Sequence, residues 1–147
     1  QMVVQAAIGR LQLKKLPAWL AQRRANAACL TNAISDLPGI IVDNDEAVAQ
    51  SAFYKYYIRV NENDVPGNKT RSDILAGLMR LGIQCGSGSC PDMSRETAFK
   101  ERSPRRDGDL ENAKRLGATT IMFPTDHLLD KDDMLTIADC LKKVIVE

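Results

Sequence analysis

Histidine occurs once in this sequence, at position 127, and cysteine only four times, at positions 29, 85, 90 and 140. The cysteines do not form two tight pairs, and only one histidine, His127, exists to join them. They read as reduced thiols, which suits a cytoplasmic protein. A Cys85-x4-Cys90 metal half-site is the alternative, without a second CxxC or a histidine pair to close it. No stretch approaches the ~20 apolar residues that span a bilayer, so no membrane partner is expected. An excess of one charge is also missing. Twenty Lys and Arg face nineteen Asp and Glu, for a net charge of +1, so no whole-chain field favours nucleic acid or an anionic surface. There is no GxGxxG, no Walker phosphate loop and no HExxH. No basic segment precedes an apolar one at the start, so a signal peptide is not expected. Position 1 is Gln, and the chain opens inside a helical pattern, which leads us to expect a piece of a longer protein.

What is present is an ordinary globular composition, 44% hydrophobic and 27% charged over 147 residues. That is enough for one domain with a single core. Val3, Val4, Ala7, Ile8 and Leu11 recur at helical spacing, and Pro17 is expected to kink or restart the helix. A second helical stretch, Ala18 to Leu37, ends at Pro38-Gly39. Ile40–Val42, Phe53–Val60, Ile83–Cys85 and Thr119–Phe123 read as strands. In the longest of them Tyr54, Tyr56, Ile58 and Val60 share one face, and Lys55, Tyr57 and Arg59 the other. Thr70 or Ser72 caps a helix with core face Ile74, Leu75, Leu78 and Met79, and Gly82 ends it. Leu110–Leu116 is a short helix stopped by Gly117. Asp130 caps a last helix whose buried stripe is Met134, Ile137, Ala138, Leu141, Val144 and Ile145. The fold class is α+β: a small, mainly antiparallel sheet backed by helices. Residues 1–37 read as a helical arm and 38–147 as the small domain.

Three blocks carry a resemblance. The first is Gln5-Ala6-Ala7-Ile8-Gly9-Arg10-Leu11-Gln12-Leu13-Lys14-Lys15-Leu16 with the trailing Arg23-Arg24-Ala25-Asn26. The second is Tyr54-Lys55-Tyr56-Tyr57, then Arg71-Ser72-Asp73-Ile74, then Gly82-Ile83. The third is Gly86-Ser87-Gly88-Ser89-Cys90, then Glu96 and Ala98-Phe99. Together they resemble the DegT-type nucleotide-sugar aminotransferases, including members tied to surface-polysaccharide sugars. The resemblance implies the C-terminal small domain of a fold type I transferase that uses pyridoxal phosphate. It implies an amino donor, glutamate in most of the family, a keto sugar on a nucleotide, and a homodimer. The family's Schiff-base lysine, and the aspartate that meets the pyridine nitrogen, precede the QAAIG helix. This chain is therefore expected to bind no cofactor alone and to be inactive alone. Pro91-Asp92-Met93 departs from the polar and aromatic residues common at that place, which bears on substrate choice.

The long segment from Gly86 to Asp109 is weakly periodic, and loops of this length are often functional. Gly86, Ser87, Ser89, Cys90, Arg95 and Glu96 are the candidate substrate contacts. Glycines let backbone N–H groups approach an anion, serines supply short hydroxyls, and Arg95 could hold a diphosphate in bidentate fashion. The plain alternative for Gly86–Ser89 is a passive turn. His127 beside Asp126 reads as a surface turn residue before a general acid or base. Arg102, Arg105 and Arg106 lack interleaved aromatics and are diluted by acids, so they read as a solvated loop and not a nucleic-acid site. A non-catalytic α+β ligand-binding or association module is the alternative to the enzyme reading.

Overall fold

The computed structural model describes residues 2–43, 50–99 and 108–146. Among these lie four α-helices: α1 (Met2–Ile34), α2 (Arg71–Arg80), α3 (Glu111–Thr119) and α4 (Lys131–Val146). Three strands, β1 (Ile40–Ile41), β2 (Tyr56–Val60) and β3 (Thr120–Phe123), form one antiparallel sheet in that order. The Arg102, Arg105 and Arg106 cluster falls outside the described residues.

The sheet has two unlike faces because strand side chains alternate. Tyr56, Ile58 and Val60 of β2 and Ile121 and Phe123 of β3 point to the core. There they meet Ala27, Leu30 and Ile34 of α1, Ile74 and Leu78 of α2, and Met134, Ile137, Ala138, Leu141 and Ile145 of α4. Each fully buried aliphatic side chain of this kind contributes about 1.5–3 kcal/mol. α4 packs against both α1 and α2, so the inner face of the sheet is covered by three helices. Tyr57, Arg59, Thr120 and Met122 occupy the outer face, paired Tyr57 with Met122 and Arg59 with Thr120.

Helix ends follow local chemistry. Thr70 Oγ1 accepts the Asp73 N–H while the Asp73 carboxylate accepts the Thr70 N–H, a reciprocal capping box. Gly82, at φ +79°, closes α2: its N–H bonds Met79 O, and the Ile83 N–H bonds Leu78 O. Asp130 Oδ1 accepts the N–H groups of Asp132 and Asp133, and the Asp133 carboxylate accepts the Asp130 N–H.

Several boundaries differ from the sequence reading. No strand forms at Ile83–Cys85, because the helix-closing bond uses the Ile83 N–H; the chain reaches the sheet one residue later, where Gly86 bridges Met122. β2 starts at Tyr56, not Phe53. Phe53 is left-handed, at φ 43°, and its carbonyl accepts from Thr125 Oγ1 and Arg23 Nη1 instead of joining the ladder. Tyr54 is consequently exposed and off the core face. α1 runs unbroken through Pro17. The missing N–H releases only the Leu13 carbonyl, on a solvent-facing stretch where water can take it. Met79 is exposed, so the core face of α2 is narrower than its spacing suggests. α3 continues past Gly117 to Thr119, since Gly117 serves packing: a Cβ there would lie 2.4 Å from Pro91 Cγ.

Candidate functional site: a cleft on the outer face of the sheet

The loop after α2 is fastened across the outer face of the sheet at three points. Gly86 exchanges two backbone hydrogen bonds with Met122, of 3.1 and 2.7 Å. Gly88, at φ +88°, sits so close to Tyr57 that a Cβ would lie 2.9 Å from the ring. Pro91 seats against Gly117 of α3. Between the loop, α3 and the outer sheet face lies a cleft of about 390 Å³. Tyr57, Arg59 and Thr120 floor it, Ser87 and Ser89 stand on the loop side, and Ala113 and Leu116 form the helical wall. Asp43 closes one end and is ion-paired with Arg59 Nη2.

The six candidate residues are divided by this arrangement. Ser87 and Ser89 line the cleft, and Gly86 anchors the loop that carries them. Cys90 and Glu96 meet each other instead: the thiol donates to Glu96 Oε1 at 2.8 Å. That bond, with burial and the Asp92 charge adding to it against a backbone hydrogen bond at Asp92, pushes the Cys90 thiol above its ordinary value. Asp92 Oδ1 accepts the Ser94 N–H and hydroxyl, bracing the same turn. Arg95 lies on a short 3-10 turn, exposed and outside the cleft lining, and its guanidinium has no partner among the described residues. Tyr57, Arg59 and Asp43 were not among the candidates. The signal for two of them was the alternation of β2, which put Tyr57 and Arg59 on the face opposite the core.

The Arg23-Arg24-Ala25-Asn26 segment acts as a clamp. Arg23 pairs with Asp126 at 3.0 Å and also reaches the carbonyls of Phe53 and Tyr54. Arg24 donates to the carbonyls of Gln50 and Ser51. Asn26 is buried and fully used: Nδ2 donates to Asp126 O and Leu129 O, and Oδ1 accepts from Gln22. His127 is half-buried under Trp19, ring centroids 4.5 Å apart, and so is less of a surface residue than its turn position suggests. The four cysteines are free. Among the described residues there is no group of three or more metal-ligating acids, cysteines or histidines, and no helix long and apolar enough to cross a membrane.

The fold finds counterparts among known proteins. The model of the DegT/DnrJ/EryC1/StrS aminotransferase family matches residues 2–142. The chain belongs to that family. A curated relative, dTDP-4-dehydro-2,3,6-trideoxy-D-glucose 4-aminotransferase of Saccharopolyspora spinosa, is 25% identical over 95% of this chain and 34% of its own length. A solved aminotransferase from Psychrobacter cryohalolentis is 32% identical and superposes with a TM-score of 0.86, over 95% of this chain and 38% of that one. The E. coli GDP-4-keto-6-deoxy-D-mannose-3-dehydratase, solved with bound hydrated PLP, shares the fold at 22% identity and a TM-score of 0.77, over 92% of this chain and 34% of its own. The chain thus spans little more than a third of the relatives it matches. A Schiff-base lysine must be desolvated, and no lysine among the described residues is buried.

Proposed function

We propose that this chain is the C-terminal small domain of a pyridoxal-phosphate-dependent aminotransferase acting on a nucleotide-linked keto sugar. In this reading residues 1–37 are the arm and linker helix, and 38–147 the small domain. The rest of the protein supplies the Schiff-base lysine and the aspartate at the pyridine nitrogen. The cofactor then provides the electron sink for moving an amino group, taken from a donor such as glutamate. This chain's own task is to hold substrate through the loop Gly86–Glu96 and to pack against a second subunit. Surface-polysaccharide or related sugar synthesis in the cytoplasm is the setting the loop resemblance suggests.

The observation that carries the reading is the braced loop of the third motif, which sets Ser87 and Ser89 at the mouth of a preformed cleft. Ligand sites are usually preformed, with a few polar groups converging on an apolar wall. Arg95, unpaired and outside the cleft, is available to a phosphate. The test is kinetic and is made on the complete protein. Ser89→Ala and Arg95→Ala should raise KM for the nucleotide sugar and leave the cofactor's absorbance and occupancy unchanged. If both variants keep the parent KM, or lose the cofactor, the loop is not a substrate-binding element.

A further inference from the structure

Beyond the loop, the outer sheet face holds polar groups that no fold contact employs. The hydroxyls of Tyr57, Ser87, Ser89 and Thr120 converge on one cleft, and among the described residues none has a protein hydrogen-bond partner. Arg59 Nε is shielded from solvent and is likewise without a partner. Opposite them Pro91, Ala113, Leu116 and Gly117 make an apolar wall. The Tyr57 ring is held in place by Gly88, where a positive φ and the 2.9 Å approach leave no room for a side chain. Asp43 and Arg59 cancel in charge, so the cleft is close to neutral.

We infer that this cleft receives the sugar ring of the nucleotide sugar, with Tyr57 as its platform and the Arg59–Asp43 pair reading its hydroxyls. The inference rests on the proposed function and adds the specificity-determining residues. A neutral cleft does not favour a diphosphate, whose charges want an uncompensated cation. It does suit a ring with one C–H face and several hydroxyls. Asp43 accepts, Arg59 donates, and the serine and threonine hydroxyls do either. A nucleobase could also stack on Tyr57, and that outcome is separable by experiment.

Calorimetry on the complete protein would compare dTDP-glucose and UDP-glucose with dTDP and UDP, thermal melting confirming that each variant is folded. Tyr57→Ala should weaken the nucleotide-glucose by about tenfold and leave the nucleoside diphosphate within about twofold. Arg59→Gln, which keeps the side chain's bulk and removes its charge, should act in the same direction and serves if Tyr57→Ala does not fold. Equal losses for sugar-bearing and sugar-free ligands would place the nucleotide in the cleft and overturn the inference. Unchanged affinities would overturn it too. Ser89→Ala separates the two levels. If it weakens nucleotide-glucose while the Tyr57 and Arg59 variants do not, the loop reading stands and the cleft assignment falls. If none of the three variants has an effect, the cleft assignment falls, and the loop reading falls with it when Arg95→Ala is silent as well.

Discussion

Cys90 is exposed, yet its surroundings disfavour the thiolate. Thiol chemistry runs through the thiolate, and Cys90 gives its proton to a hydrogen bond with Glu96 Oε1. The carboxylate accepts a hydrogen bond from the protonated thiol and its negative charge opposes formation of the thiolate, so the thiol titrates higher than usual. The sign is therefore clear: at a fixed mildly alkaline pH less thiolate is present than on an ordinary exposed cysteine. Glu96→Gln removes the charge and should bring the titration back down. Iodoacetamide labelling followed by peptide mass mapping should then show Cys90 alkylated several-fold faster in Glu96→Gln than in the parent. Equal rates would mean that Glu96 does not hold the Cys90 thiol in its protonated form. The other proposed contacts are of a different kind. Ser87 and Ser89 are unengaged hydroxyls, free for a ligand, whereas Cys90 and Glu96 are engaged with each other. In the proposed function the first pair meets the substrate and the second positions the loop that carries it.

At the scale of elements, close approach decides the site's shape. α3 can lie against the loop only because position 117 lacks a Cβ. Gly117→Ala would gain about 1 kcal/mol of helix propensity but forces a methyl group into the Pro91 ring, and overpacking of this kind costs about 1–3 kcal/mol. Net destabilisation in urea unfolding is expected, and Pro91→Ala in the same chain should recover most of it. A Gly117→Ala chain more stable than the parent would show that the loop lifts away freely. This contact was hidden in the sequence, where a glycine near the end of a helical run reads as a stop. What was legible is local: the alternation of Tyr56, Ile58 and Val60, the stripe of α4, and the caps at Thr70 and Asp130. Each depends on neighbours within a few residues. What was not legible depends on partners far along the chain. Phe53 leaves the strand because Thr125 and Arg23 take its carbonyl, and Asp43 joins the cleft by pairing with Arg59 across the strand order. The loop's six candidate residues lay together in sequence, but the structure gives them different surroundings.

At the scale of the whole molecule, α1 changes character along its length. From Asn26 onward it is part of the core, and before Trp19 it is solvated on all sides. Val3, Val4, Ile8, Leu11, Leu13 and Leu16 are between 50% and 82% exposed. They do not form one stripe. Val4, Ile8 and Leu11 share a face while Leu13 and Leu16 lie round the helix from it, and a helix apolar on several sides is normally enclosed by neighbours. Matched relatives about two and a half to three times as long leave room for such neighbours in the complete protein. Alone, this chain should find them in its own copies. One buried Leu or Ile contributes about 1.5–3 kcal/mol and association costs about 4–15 kcal/mol, so several of these side chains on each copy must be buried together. Light scattering should therefore show a dimer or larger species, and Ile8→Lys with Leu11→Lys should convert it to monomer. Trp19, the single tryptophan, stacks on His127 at the point where the arm leaves the core. Its fluorescence should be the same in parent and double variant, showing that the charges separated the copies and left the fold intact. A parent chain that stays monomeric at high concentration would mean that the exposed face alone does not hold two copies together.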